Sequence, residues 1–152
     1  MKKLIAILAL VAEAACHSAP APATSGPILR GNETGAPDAA SAIRAFMDAV
    51  KQQDIQAMGA IWGTAQGPAR DFMKRTDLES REFIMICYLK HDRYDIVGDA
   101  PNPGGARAYA VSLTLGPLSG STKFQVVPGP ANRWYVQDVD LQPLQAFCAR
   151  RG

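Results

Sequence analysis

The chain has 152 residues and a nearly balanced charge, with 16 Lys and Arg side chains against 14 Asp and Glu side chains and a net charge of +2. Adjacent basic residues occur only as the pairs Lys2-Lys3, Lys74-Arg75 and Arg150-Arg151. The sequence therefore lacks the extended positive surface that nucleic-acid binding requires. Once an N-terminal leader is set aside, the length fits one domain.

The N-terminus has the parts of a bacterial signal peptide. Two lysines precede an apolar run at residues 4–12. A membrane span needs about 20 apolar residues, so this shorter run is typical of the central region of a signal peptide. Two alanines then precede Cys16, and this order resembles a lipobox, in which the cysteine is acylated. We expect residues 1–15 to be removed and Cys16 to carry a lipid anchor.

A second cleavage site is open, because Glu13 departs from the lipobox pattern. Cleavage after the Ala-Glu-Ala sequence at 12–14 would release a soluble periplasmic or secreted protein. The number of cysteines favours lipidation: with Cys16 acylated, Cys87 and Cys148 remain as an even pair outside the cytoplasm. Disulfides persist there, so we predict a Cys87–Cys148 bond in a lipid-anchored envelope protein that faces the periplasm.

Residues 16–37 are rich in Ala, Pro, Ser and Gly and have few large apolar side chains. Such a segment cannot bury enough surface to offset the entropy of ordering it. We predict a flexible tether here and a folded domain at residues 38–152.

The first half of this domain has helical patterns. Asp38 is a predicted N-cap, and Asp54 is the predicted cap of a second helix that reaches Trp62. A third segment begins at Pro68, the N1 position of a helix, with two side chains directed inward. The apolar positions that predict these helices are Ile43, Phe46, Met47, Val50, Ile55, Met58, Ile61, Phe72 and Met73.

A further helix is predicted from Thr76 to about Lys90. Thr76 and Glu79 have the spacing of a capping box, in which each side chain bonds the backbone N–H of the other residue. Residues 83–89 are apolar on every side of this helix, which is typical of a helix enclosed by other elements. We therefore expect Cys87 to lie deep in the fold.

The apolar period then changes to two. Strands are predicted around residues 94–96, 108–115, 124–127 and 134–141, with short turns between them that demand antiparallel neighbours. Pro143 opens a short C-terminal helix that carries Cys148. Helices followed by a four-stranded antiparallel meander indicate an α+β fold.

Two segments resemble the nuclear transport factor 2-like superfamily. They are the helical opening at 46–58 (FMDAVKQQDIQAM) and the late strand at 134–139 (WYVQDV), and the resemblance covers residues 38–142. It implies a curved sheet that wraps the helices into a cone whose mouth can hold a ligand. Members of the superfamily include steroid isomerases, epoxide hydrolases, polyketide cyclases and domains without catalysis, so the fold does not define the function. The implied lining is mostly apolar and comprises Phe46, Trp62, Tyr109, Val111, Leu113, Phe124 and Val126.

Asp138 and Asp140 are the candidate catalytic residues. They alternate with apolar residues on the last strand, so both carboxylates share one face and can act as acid and base. A solvated outer face gives the same pattern and is the favoured interpretation. Four tyrosines can supply a phenolic donor: Tyr88, Tyr94, Tyr109 and Tyr135. Aromatic residues at strand positions, however, more often serve packing.

Cys87 and His91 are four residues apart, a spacing that suits a metal site or a thiolate–imidazole pair. The predicted disulfide consumes the thiol and is favoured, so we expect neither a metal nor a cofactor. Two functions remain open. In the first, an envelope lipoprotein binds a small apolar ligand or an envelope protein without catalysis, and this is our expectation. In the second, a periplasmic isomerase or hydrolase uses Asp138 or Asp140 as its base, which would require a carboxylate of perturbed pKa and a Tyr in one cavity.

Overall fold

A computed structural model describes residues 33–149, which form an α+β fold. The first half is mainly helical. It comprises α1 (Ala39–Gln52), α2 (Ile55–Ile61), a small hairpin of β1 (Gly63–Thr64) and β2 (Gly67–Pro68), a 3-10 turn (Ala69–Asp71) and α3 (Arg75–Tyr88). The second half comprises β3 (Arg93–Pro101), β4 (Arg107–Leu115), β5 (Leu118–Pro128), β6 (Trp134–Val139) and a short α4 (Gln145–Cys148).

The predicted caps of the first two helices are present. The Asp38 carboxylate accepts a hydrogen bond of 2.8 Å from the Ser41 backbone N–H at the start of α1. Asp54 accepts one of 3.0 Å from the Ala57 N–H and caps α2. Between the two helices, Gln53 adopts a left-handed conformation with φ of 56° and ends α1. Both helices therefore begin where a carboxylate satisfies an otherwise free N–H group.

The segment after α2 differs from the prediction. Pro68 does not open an α-helix; it precedes a 3-10 turn of three residues, and the side chain of Phe72, predicted to point inward, is 51% exposed. The Ala69 N–H donates to the Trp62 carbonyl, so the chain here pairs back onto the end of α2. The 3-10 turn ends at Asp71, so Phe72 lies after the helical residues and is not held on a buried helix face.

The start of α3 also differs. The helix begins at Arg75, one residue before the predicted cap, and Thr76 lies inside its first turn. The Glu79 carboxylate accepts a hydrogen bond of 2.6 Å from Arg75 Nε instead of reaching back to the backbone. The capping-box prediction is therefore wrong, because an i, i+4 ion pair occupies the carboxylate that the box needs.

The expectation that other elements enclose α3 is wrong as well. Phe83 is 60% exposed and Ile84 is 53% exposed, so one side of the helix is open to solvent. Cys87 is half-buried rather than deep in the fold. The buried face of α3 consists of Leu78, Glu82, Met85 and Ile86.

The four long strands form one antiparallel sheet in the order β3-β4-β5-β6, so each strand pairs with its neighbour in sequence as predicted. The register shifts between Ile96 and Gly98 on β3 and between Gln125 and Val126 on β5. Such bulges increase local twist. Buried residues of α1, α2, α3, β4, β5 and β6 belong to one hydrophobic cluster, in which the rings of Phe46 and Phe124 meet edge to face at 6.2 Å.

The folded part begins before the predicted boundary at residue 38. Ala36 is fully buried and exchanges two backbone hydrogen bonds with Trp134, of 2.9 and 2.8 Å. The Arg133 guanidinium donates to the carbonyls of Thr34 and Gly35. The last residues of the predicted tether are therefore fixed along β6.

The predicted signal peptide, Cys16 and the rest of the tether lie outside the described residues. Among residues 33–149, no helix has both the length and the apolar character needed to cross a membrane.

Candidate functional site

Most of the predicted ligand-pocket residues lie in the hydrophobic core. Their exposed fractions do not exceed 6%, and they pack in the main cluster; they are Phe46, Tyr109, Val111, Leu113, Phe124 and Val126. Trp62, the seventh candidate, is half-buried, and its indole Nε1–H donates to the Gln137 carbonyl at 3.3 Å. The first six side chains therefore stabilise the fold and line neither of the two clefts described below.

Cys87 and Cys148 are joined by a disulfide, with their Cα atoms 5.0 Å apart. The bond ties α4 to the C-terminal end of α3. His91 does not pair with the Cys87 sulfur. Its ring is buried, with Nδ1 2.9 Å from the Leu89 carbonyl and its plane edge-on to the ring of Tyr94. The His91 ring is thus part of the packing between the end of α3 and the sheet.

Asp138 and Asp140 are both exposed. Asp140 follows β6, and its carboxylate accepts a hydrogen bond from the Gln142 N–H in the turn toward α4. Asp138 lines a shallow cleft of about 180 Å³ together with Trp62, Arg81, Ile84, Met85, Val139 and Leu141. None of the four candidate tyrosines contributes to this lining.

A larger cleft, of about 300 Å³, lies between α2, the 3-10 turn and α3. We call it the Glu82 cleft. Its lining combines apolar side chains with charges of both signs: Ile55, Gln56, Gly59, Arg70, Asp71, Met73, Arg75, Leu78, Glu79 and Glu82. Its volume is at the lower end of the range of small-molecule sites, about 300–1,000 Å³.

The unusual group in this cleft is the Glu82 side chain. Its residue is 1% exposed, and its Oε1 atom has no hydrogen-bond partner among the residues that the structure describes. Burial, together with the negative charges of Glu79 and Asp54, raises the pKa of Glu82 to about 7. A buried carboxyl oxygen without a partner costs free energy, so a donor that reaches it would be stabilising.

The backbone of α2 makes room for this carboxyl group. A Cβ atom at Gly59 would lie 3.0 Å from Glu82 Oε1 and 3.3 Å from Leu78 Cδ2. Glycine therefore lets α2 and α3 approach closely at the wall of the cleft. Glu82 is held on the buried face of α3 by the helix itself, because Leu78 and Ile86 are four residues before and after it.

The remaining charged side chains of the lining belong to the 3-10 turn and the first turn of α3. Arg75 is bound to Glu79, and its side chain is 81% exposed. Arg70 and Asp71 are exposed neighbours on the 3-10 turn. The exposed part of the cleft therefore carries charges of both signs, whereas its buried part carries the single carboxyl group of Glu82.

The Glu82 cleft can bind a ligand that donates a hydrogen bond or carries a positive charge. Its lining contains no Tyr, His, Ser, Thr or Cys side chain, and its other carboxyl groups are Glu79 and Asp71. Within residues 33–149 there is also no group of three or more His, Cys, Asp or Glu side chains placed to hold a metal ion.

Sequence reasoning missed Glu82, although a signal for it is present. Leu78, Glu82, Met85 and Ile86 follow the helical spacing of one face, so the pattern places a charged residue among apolar ones. Because residues 83–89 are all apolar, the helical spacing of this face is hard to distinguish in the sequence. A charge at an apolar position of a helix is more informative than the same charge on a polar face.

Comparisons with protein-family models, with curated proteins and with solved structures give no match for this chain.

Proposed function

We propose that this protein is a lipid-anchored envelope protein whose α+β domain binds a small molecule in the Glu82 cleft. The observation that carries the proposal is the buried side chain of Glu82, which lines a cleft of about 300 Å³ and whose Oε1 has no hydrogen-bond partner within the described chain. A hydrogen-bond donor on a ligand would compensate for the loss of water around the Glu82 carboxyl group, which no other described group of the protein does at Oε1.

We also propose that the domain has the cone-like arrangement of the nuclear transport factor 2-like superfamily. Three helices that precede a four-stranded antiparallel meander support this proposal. The hydrophobic cluster shared between α1 and the strands supports it too. The interior that would form the cone is occupied by core side chains, so the ligand site proposed here lies on the helical side, between α2 and α3.

Binding without catalysis is the function that the cleft supports. Asp138 and Asp140, the candidate bases of an isomerase or hydrolase, are exposed and do not line the Glu82 cleft. The pKa of Glu82, about 7, would suit a general acid or base. Such a step needs a second positioned acid–base group; of the other carboxyl groups in the lining, Glu79 is bound to Arg75 and Asp71 is exposed on the 3-10 turn, which favours binding over catalysis.

Blocking the cleft tests the binding function. Gln56 is exposed on α2 and lines the cleft, so Gln56→Trp would fill the entrance without disturbing the core. Gln52→Trp, at the exposed end of α1, is the matched control. Ligand-observed NMR with small ammonium, carboxylate and neutral compounds should show binding to the wild type and to Gln52→Trp, but not to Gln56→Trp. Equal binding by both variants, or no binding to the wild type, would contradict the proposal.

The proposed anchor has its own test. Cys16→Ser removes the only thiol of the proposed lipobox and should move the protein from the membrane fraction to the soluble fraction. Mass spectrometry should find a diacylglycerol-modified N-terminus at Cys16 in the wild type. A soluble wild-type species that begins at Ala15 would refute the anchor.

A further inference from the structure

We infer that the Glu82 cleft selects a small primary ammonium compound with a short apolar body, its N–H groups directed at the Glu82 carboxylate. This inference rests on the proposed binding function and specifies the class of ligand. Three features of the cleft support it: the sign of the charge in its buried part, the apolar wall and the small volume.

The charge in the buried part of the cleft favours a cation. Glu82 is the buried titratable group of the lining, and the groups that act on it most strongly through space, Glu79 and Asp54, are also acidic. An anion that entered would face these like charges in a partly desolvated site. An ammonium group would bring both an opposite charge and N–H donors to the Glu82 carboxylate, which makes a charge-assisted hydrogen bond.

The two arginines of the lining do not reverse this preference. The Arg75 guanidinium donates to the Glu79 carboxylate, and its side chain is 81% exposed. Arg70 lies on the exposed 3-10 turn beside the acidic Asp71. Exposed charges are screened by water and salt, so they contribute less selectivity than the desolvated carboxyl group.

The apolar side chains of the lining favour a ligand whose uncharged part is apolar. Leu78 is buried, while Ile55 and Met73 are half-buried and present apolar surface to the cleft. A volume of about 300 Å³ lies at the lower end of small-molecule sites, so a small compound fits it best. The best match is a short alkyl chain that packs on these three side chains with one charged end at Glu82.

Four probes of one chain length test this inference by isothermal titration calorimetry and ligand-observed NMR with the folded, disulfide-bonded protein. They are pentylammonium, pentyltrimethylammonium, 1-pentanol and pentanoate. We expect pentylammonium to bind at least tenfold more tightly than the other three, since only it has both a positive charge and N–H donors.

The outcomes separate the inference from the function on which it rests. If pentanol or pentanoate binds as tightly as pentylammonium, and Gln56→Trp abolishes that binding, the cleft is a ligand site but the ammonium inference is wrong. If pentyltrimethylammonium binds as tightly as pentylammonium, the cleft recognises the positive charge alone, and the hydrogen bond to Glu82 is refuted. If no probe binds, both the inference and the proposed function fail.

Substitution of Glu82 tests whether its carboxyl group is responsible for the selectivity for ammonium compounds. Glu82→Gln keeps the shape and removes the charge, and we expect it to lower pentylammonium affinity at least tenfold while pentanol affinity stays within twofold. Asp95→Asn, an exposed carboxylate on β3, is the matched control and should retain full affinity. Unchanged pentylammonium affinity in Glu82→Gln would overturn the inference.

The pH profile supplies a second readout that a purely structural role of Glu82 would not change. Because the pKa of Glu82 is about 7, pentylammonium affinity should be about tenfold weaker at pH 6 than at pH 8. The charged groups that line the cleft with Glu82 are Glu79 and Arg75 from α3 and Arg70 and Asp71 from the 3-10 turn, and the Asp54 cap of α2 acts on Glu82 from outside the lining. In Glu82→Gln the affinity should not vary between these pH values, and a profile that persists in this variant would assign the titration to another group.

Discussion

At the scale of single residues, Glu82 is the side chain that departs most from the chemistry of its surroundings. It occupies the buried face of α3 between Leu78 and Ile86, where an apolar residue would be expected, and its Oε1 has no partner in the described part of the chain. A group in this position destabilises the fold when it is charged. Its retention on an apolar face is explained if it serves binding rather than stability.

Glu82 should make the stability of the protein depend on pH in a defined direction. Burial raises its pKa from 4.5 to about 7 in the folded state. The folded protein therefore holds a proton that the unfolded chain releases between these values, so the free energy of unfolding falls as the pH rises through this interval. Above about pH 7 the decrease in the free energy of unfolding is complete and amounts to at most about 3 kcal/mol.

Glu82→Gln removes this titratable group, so the difference between the variant and the wild type measures its contribution to stability. Urea unfolding at pH 5 and pH 8 should show that the variant gains stability relative to the wild type as the pH rises, with the largest gain at pH 8. Glu79→Gln is the control. It removes only a secondary cause of the raised pKa, so most of the pH dependence should persist. A difference between Glu82→Gln and the wild type that is the same at both pH values would contradict the raised pKa.

At the scale of elements, the two helix caps provided by aspartates were predictable, and the start of α3 was not. Asp38 and Asp54 each accept a hydrogen bond from a backbone N–H three residues later, as their positions before apolar-periodic segments predict. At α3 two local arrangements compete for the Glu79 carboxylate. The Arg75–Glu79 ion pair forms, and the predicted exchange with Thr76 does not.

Removing the cap of α1 should destabilise the whole domain, since most of this helix is buried. We expect Asp38→Ala to lower the free energy of unfolding by about 1 kcal/mol at pH 7. The hydrogen bond from the Ser41 hydroxyl is the main cause that lowers the pKa of Asp38 below 3.8. The contribution of a group with a lowered pKa is lost as the pH falls through that pKa.

The difference between Asp38→Ala and the wild type should therefore shrink between about pH 5 and pH 2. Urea unfolding across this range measures it. Asp38→Asn is the matched variant: it retains an acceptor for the Ser41 N–H and should lose only a few tenths of a kcal/mol at pH 7. Equal losses in the Ala and Asn variants would show that the side-chain cap is not what Asp38 contributes.

At the scale of the whole molecule, the Cys87–Cys148 bond closes a loop that contains the entire four-stranded sheet. The two cysteines are 61 residues apart in sequence. A crosslink over such a loop restricts the unfolded chain and is worth about 4 kcal/mol on the chain-entropy model. Since α4 has only four helical residues, the disulfide is also its main attachment to α3.

Removing the crosslink should therefore weaken both the domain and its C-terminus. We expect the Cys87→Ser/Cys148→Ser double variant to lose about 2–4 kcal/mol in urea unfolding. Amide hydrogen exchange should show reduced protection first in residues 145–149. The wild type treated with a reductant should behave like the double variant. Two titratable thiols in the folded, non-reduced wild type would contradict the bond itself.

Local sequence patterns were sufficient to predict the α+β class, the order of the main helices and strands, and the Cys87–Cys148 pair. Period-3.6 and period-2 patterns, aspartate caps and turn residues are local signals, and each acts through neighbours only a few positions away. The pairing of Cys87 with Cys148 was predicted from the number of cysteines, with Cys16 set aside as the proposed lipid-anchor residue. These features depend on chain-local chemistry, so they were readable before any contact was known.

Contacts between elements that are distant in sequence determine which apolar face is buried and where a cleft remains. The tertiary structure placed six predicted pocket residues in the core, left Phe83 and Ile84 in solvent, and brought α2 against α3 at Gly59 so that Glu82 is buried without a partner. Burial and desolvation arise from residues that are distant in sequence. A carboxyl group acquires its pKa from those surroundings, and the sequence of one helix does not contain them.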